Sequence, residues 1–261
     1  MEIRFSDYLE RVRAARPLVH HITNYVTVND CANICICAGG SPVMTDGEDV
    51  ADMVSIASAS VLNIGTLNER TVHSMEVAAS VAAGRIPFLL DPVGAGATQY
   101  RTDVSEMLMR FHPTVIKGNA GEIGVLSGIG GDVKGVDSHG SSDAEAAVRA
   151  LSRATGSIAV ATGAEDYVSD GETVLRLENG TDMLENVSGT GCMLSSVVGC
   201  YIGACGRDIM AIAAAVTAFN VAAEVAAEDS RGPGTFKPAL MDAMFSLDGR
   251  TLDSKAKWVR L

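Results

Sequence analysis

Short apolar runs recur along this chain, and each stops at a polar residue or a glycine. Val61-Leu62-Asn63-Ile64 ends at Gly65, Pro87-Phe88-Leu89-Leu90 at Asp91, Thr114-Val115-Ile116 at Lys117-Gly118, and Ile158-Ala159-Val160-Ala161 at Thr162-Gly163. Runs this short and this continuously apolar are strands buried on both faces, which is the condition of a parallel sheet covered by helices. Helical patterns fill the gaps: one starts at an Asn68 cap and stops at Gly84, and another starts near Ser142. Tyr167-Val168 and Thr173 to Leu177, joined through Asp170-Gly171, read as an antiparallel hairpin at one sheet edge. Three long helices, Thr190 to Cys205, Asp208 to Glu228 and about Pro238 to Phe245, precede a last short strand at Trp258-Val259. No repeat or linker divides the 261 residues. The expectation is one α/β domain over 1–261, three-layered, with a mostly parallel central sheet and helices on both faces.

In such open sheets ligands sit beyond the carboxyl ends of the strands. Asp91, Lys117, Asn119 and Thr162 fall at those ends, with glycines 65, 94, 96, 118 and 163. Unrelated loops are therefore expected to converge on one rim.

A formal charge of −12 repels nucleic acid and anionic membranes, so neither is expected as a partner. Six cysteines, Cys31, Cys35, Cys37, Cys192, Cys200 and Cys205, lie in apolar helical stretches without a Cys-x-x-Cys pair. That is the pattern of buried thiols in a reducing compartment rather than of disulfides or zinc. The charged N-terminus lacks a signal-peptide core. Met210 to Ala227 is long and apolar, but Asn220 and Glu224 interrupt it, so it reads as a core or subunit-interface helix. A soluble, cytoplasmic protein is expected.

Asn186-Val187-Ser188-Gly189-Thr190-Gly191-Cys192 opens onto the apolar stretch Met193 to Cys205. The first amides of a helix lack intrahelical partners and sit at its positive pole, where glycines let an anion approach. The same pattern also serves simply to cap or pack a helix. Asp91-Pro92-Val93-Gly94-Ala95-Gly96 fits either a magnesium-binding carboxylate or a turn aspartate. Lys117-Gly118-Asn119-Ala120-Gly121-Glu122 places the rim's one cation before a spacing that suits a capping box as well as metal work. Asn24 and Met44 suit an apolar pocket with few polar groups, or else a turn and core filler.

Taken together, His20-His21-Ile22-Thr23-Asn24-Tyr25-Val26, Asp91 to Ala95, Ile116 to Glu122 and Gly189 to Cys192 resemble the hydroxyethylthiazole kinase family of thiamine biosynthesis, within the ribokinase-like superfamily. The resemblance runs in order, without large gaps, from about Ser6 to the last helix. It implies a ribokinase-like fold and ATP-dependent phosphorylation of the primary alcohol of 4-methyl-5-(2-hydroxyethyl)thiazole with Mg²⁺. It also implies a homotrimer with active sites between neighbouring subunits. Carried over by motif position, Met44 and Gly189 would touch the thiazole, with Asn24 and Gly65 as further pocket residues. Lys117 and Thr162 would contact ATP, and Asp91 and Glu122 would serve magnesium. Cys192 would sit at the reacting hydroxyl, beside the amides of Gly189, Thr190 and Gly191. Lys117 stands where the family often has arginine; the charge is kept and the planar fork is not.

Many ribokinase-like enzymes carry an aspartate base where this chain, like the thiazole kinase branch it resembles, has Cys192. A helix N-terminus lowers a thiol's pKa and a bound triphosphate raises it, so Cys192 is expected to be a weak base. Two other readings compete: a nucleotide-dependent dehydratase of the same fold, whose pocket must admit a dinucleotide, and a thiazole-binding protein without turnover.

Overall fold

The computed structural model describes residues 4–129 and 141–261. Strands β1 (Leu18–Ile22), β2 (Ser41–Met44), β3 (Ala59–Asn63), β4 (Phe88–Asp91), β5 (Val115–Asn119) and β6 (Ile158–Thr162) run parallel. β7 (Asp166–Ser169), β8 (Val174–Leu177) and β9 (Trp258–Arg260) continue the sheet antiparallel, giving the order β2-β1-β3-β4-β5-β6-β7-β8-β9. The expected hairpin, β7–β8, is therefore present but not at the edge. The C-terminal strand β9 pairs outside it, because Leu175 to Leu177 offers β9 a free ladder.

Helices α1 (Phe5–Ala15) and α2 (Val28–Ala38) come before α3 (Val50–Ile56), α4 (Glu69–Ala82), α5 (Gln99–Met109), α6 (Ala120–Ser127) and α7 (Ser141–Thr155). The chain closes with α8 (Thr190–Cys205), α9 (Ile209–Asp229), α10 (Pro233–Ser246) and α11 (Gly249–Lys255). Strand side chains alternate between faces, and this sorts the core into layers. Val61, Leu89 and Val115 point into one cluster with α8 and α9, whereas Leu62, Leu90 and Ile116 point the other way, towards α4, α5 and α7. This is the expected three-layer arrangement. The long apolar helix, α9, is buried along most of its length inside the first cluster.

β1 and β2 were not expected as strands, because His20 and His21 interrupt an otherwise short apolar run and Pro42 lies in the other. Both histidines are buried. His20 satisfies its ring with Ser60 Oγ at 2.9 Å and the Thr45 carbonyl at 3.0 Å. Burial pushes its pKa down, and pushes that of His21 down to about 4, so both belong to the neutral core. Pro42 is tolerated because β2 is the edge strand. α10 starts five residues earlier than expected, with Pro233 in its first turn, where the missing amide costs nothing.

Candidate active site

The alternation that layers the core also builds the site. Asn63 and Asp91 are register partners at the ends of β3 and β4, so their side chains emerge on the same face as Val61 and Leu89, the face covered by α8. Lys117 lies two residues beyond Val115 on that face. All three are buried, with Asp91 2% and Lys117 3% exposed. Asp91 Oδ2 accepts from Ser195 Oγ (2.6 Å), Asn63 Nδ2 (2.7 Å) and Lys117 Nζ (3.4 Å). Lys117 Nζ also donates to the Gly191 carbonyl at 3.0 Å, which ties the end of β5 to the first turn of α8. Burial alone would lower the Lys117 pKa, but the Asp91 carboxylate, with Cys192 and Glu122 nearby, holds it above the ordinary lysine value.

Gly189 begins α8 in the left-handed region, φ 87°, where L side chains are strained. A Cβ there would also overlap Thr27 Cγ2, so the turn needs glycine twice over. No side chain caps this helix, and Gly191 is exposed, so the first-turn amides are left without a side-chain partner. Thr190 Oγ1 anchors the turn to the Leu184 carbonyl at 3.0 Å.

Cys192 is half-buried and accepts from two carboxamides, Asn24 Nδ2 at 3.2 Å and Asn63 Nδ2 at 3.3 Å. Asn24 Oδ1 in turn accepts from the Thr27 amide and hydroxyl. Gly65 lies against this pair: a Cβ on it would stand 2.9 Å from Asn24 Cβ and 3.0 Å from Asn63 Oδ1. Burial pushes the Cys192 thiol up, and the Asp91 charge adds to that, outweighing Lys117. Burial thus disfavours the thiolate form of the sulfur.

Glu122 forms the capping box. Its Oε2 accepts the Asn119 amide at 2.8 Å while Asn119 Oδ1 accepts the Glu122 amide, and Oε1 takes the Gly94 amide at 2.7 Å. Burial raises its pKa, and Asp91 adds to that. The capping reading of this segment is therefore geometrically real, and the same box joins the loops after β4 and β5. Among the described residues no three His, Cys, Asp or Glu side chains form a metal cage.

Two clefts flank this cluster. One, about 320 Å³, is lined by Thr162, Thr190 and Gly191 together with Asp166, Asn220 and the 178–185 segment. The other, about 230 Å³, is lined by Met44, His21, Thr23, Tyr25, Thr66 and Arg70. Thr162 and Met44 thus sit in different clefts, and Lys117 lines neither. The expectation that Lys117 is the rim's only cation needs correction: Arg101, from α5, donates to the carbonyls of Val93 (2.7 Å), Ile64 (2.9 Å) and Gly65 (3.0 Å). It is far in sequence from every motif, and no local pattern marks it.

Asp166 was also missed, since a polar residue at the start of a hairpin strand is unremarkable in sequence. It is buried and lines the larger cleft, accepting from Asn220 Nδ2 at 2.6 Å and the Gly163 amide at 3.0 Å. Burial pushes its pKa up to about 6. A raised carboxyl pKa means the folded state binds the proton more tightly. The associated stability is complete below the unfolded value near ~4 and fades as pH rises through about 6. Over that window wild type should lose on the order of 3 kcal/mol that Asp166→Asn does not lose. Urea denaturation of both proteins at pH 4.5 and 7.5 checks this; parallel curves would refute it.

The layered sheet with α8 starting over its rim is that of ribokinase-like proteins. A ribokinase-like superfamily protein from Enterococcus faecalis V583 superposes with a TM-score of 0.65 at 15% identity, over 94% of this chain and 97% of that one. The family model of the hydroxyethylthiazole kinase family matches residues 9–250, and the chain belongs to that family. A hydroxyethylthiazole kinase from Methanocella arvoryzae is 49% identical over 93% of this chain and 92% of its own. The solved hydroxyethylthiazole kinase of Pyrococcus horikoshii OT3 is 37% identical with a TM-score of 0.92, covering 98% of each chain. The protein is accordingly an enzyme, a kinase.

Proposed function

We propose that this kinase transfers the terminal phosphoryl group of ATP to the primary alcohol of 4-methyl-5-(2-hydroxyethyl)thiazole, acting as one domain over 1–261. The observation that carries the reading is the meeting of Asp91, Lys117 and Cys192 at the open first turn of α8, in a chain of this family. The nucleotide enters the cleft lined by Thr162, Thr190 and Gly191. The thiazole takes the side of Met44, Asn24, Gly65 and Gly189. The alcohol oxygen attacks the terminal phosphorus as its proton passes to an oxygen of the transferring phosphate, the bond to the bridging oxygen breaks, and ADP departs. Amides of Gly189 to Cys192 receive charge on the transferring group, which a loose transition state needs more than a strong base. Lys117 holds that turn by its carbonyl and offsets the local negative charge.

Asp91 and Glu122 supply the hard oxygen donors that suit Mg²⁺, which normally takes one or two carboxylates plus water and phosphate oxygens. Among the described residues, the three side-chain hydrogen bonds of Asp91 fall on Oδ2. Oδ1 would therefore meet the ion or its water, and Glu122, already holding two amides, would act through water. When bound, the ion would neutralise phosphate charge.

The assembly is proposed as a homotrimer whose neighbouring subunits complete the thiazole sites. Exposed Tyr25 and Val26, 80% and 62%, stand beside the Met44 cleft and support this. Six free thiols fit the cytoplasm.

Cys192→Asp would place a carboxylate between the two amide donors and near Lys117. Turnover should be retained or raised, measured as ADP release; collapse with intact ATP binding would contradict the assigned role. The reaction itself is tested by incubating protein, Mg-ATP and the thiazole alcohol and recording phosphorus NMR. A new phosphate monoester, equal in amount to ADP, is expected. ATP binding without that resonance refutes the proposal.

A further inference from the structure

Asn63 interrupts a strand that is otherwise apolar and is only 1% exposed. A buried carboxamide is costly unless its groups are bonded, and here each one is. Its Nδ2 donates one hydrogen to Asp91 Oδ2 (2.7 Å) and one to Cys192 Sγ (3.3 Å). Its Oδ1 accepts from Asn24 Nδ2 and the Gly65 amide, both at 3.0 Å. These partners fix which end is nitrogen: only NH₂ can meet a carboxylate, and only oxygen can meet a backbone amide. Asn24 is pinned in the same way, with Oδ1 on Thr27 and both Nδ2 hydrogens spent on Asn63 Oδ1 and Cys192 Sγ.

One amide thus touches both sides of the proposed transfer, the carboxylate on the phosphate side and the sulfur on the acceptor side. β3 pairs with β4 at Asn63↔Asp91, and Cys192 lies in the first turn of α8. The separation between strand end and helix start is therefore read through this side chain. We infer that Asn63 is a positioning residue, whose carboxamide sets the spacing of Asp91 and Cys192 and so aligns the acceptor hydroxyl with the phosphoryl group. This rests on the thiazole-alcohol reading for the identity of the reactants. The hydrogen bonds to Asp91 and Cys192 are independent of it.

The test compares wild type with Asn63→Leu, which keeps the branched shape, and with Asn63→Ser, which spares the fold if leucine does not. In the first arm the pH profile of iodoacetamide alkylation at Cys192 is followed by peptide mass spectrometry. Charged groups facing the sulfur are Asp91 of β4 and Lys117 of β5, with the Cys31 thiol of α2, and none of these is altered. Losing one N–H donor disfavours the thiolate, so the midpoint should rise by about one unit. In the second arm kcat should fall about 100-fold, with the KM for ATP changed less than about threefold. An unmoved midpoint overturns the inference. So does an unchanged kcat, or a KM that carries the whole effect. If wild type makes no phosphate monoester, the thiazole reading falls, and the alkylation profile still decides whether Asn63 governs the sulfur.

Discussion

Gly191→Val is expected to abolish phosphoryl transfer while leaving the fold intact. The residue is exposed in the first turn of α8, its backbone φ is not in the left-handed region, and a Cβ there meets only Lys117 Nζ, at 3.7 Å. The protein can therefore accept a side chain. What cannot accept it is the space over the uncapped amides, where the valine methyls would stand in the path of a phosphate. Losing oxyanion-type donors costs on the order of 10²–10³ in kcat, and blocking several together should reach the upper end. Circular dichroism and melting temperature should hardly move. Near-normal turnover in this variant would remove the anion-binding role of the turn.

Lys117→Met should be damaging in a different way. Lys117 and Asp91 form a pair 3.4 Å apart with both groups almost fully buried. Removing one partner strands the other charge in the interior, at a cost of about 3–5 kcal/mol. It also releases the Gly191 carbonyl, so activity should fall with stability. Because the Lys117 pKa is raised, its contribution is complete below the ordinary lysine value and fades only as pH climbs through the higher folded value. The lysine's own titration therefore adds no pH dependence to the gap between wild type and variant from pH 6 to 9, and urea denaturation should find the variant less stable throughout that range. A variant as stable as wild type across that range would show that the pair is not the keystone of the rim.

Much of this arrangement was legible in the residues, for physical reasons that differ from motif to motif. α8 begins at Thr190 as expected, since a glycine able to take φ 87° precedes an unbroken apolar run. Asp91, Asn119 and Thr162 end their strands because apolar patterning marks buried strands and polarity marks their ends. The direction of Lys117 was not legible. Its spacing suits a cation reaching towards phosphate, yet it turns inward, because a face shared with Asp91 offers a carboxylate and a helix carbonyl. Asn63, Ser195 and Arg101 were invisible for a related reason. Apart from the Gly65 amide for Asn63 and the Gly191 carbonyl for Ser195, their side-chain partners lie 28 to 129 residues away for Asn63, 104 for Ser195 and up to 37 for Arg101, so local spacing does not announce them. The Asn119–Glu122 box shows the converse: a local signal can be right about capping and still leave the residue at the centre of the site.

The most direct test is a crystal structure with Mg²⁺ and a non-hydrolysable ATP analogue. The terminal phosphate should lie against the amides of Gly191 and Cys192, with the ion on the Asp91 side and the nucleotide extending past Thr162. A triphosphate seated instead beside Met44 and Arg70, remote from the start of α8, would contradict the account.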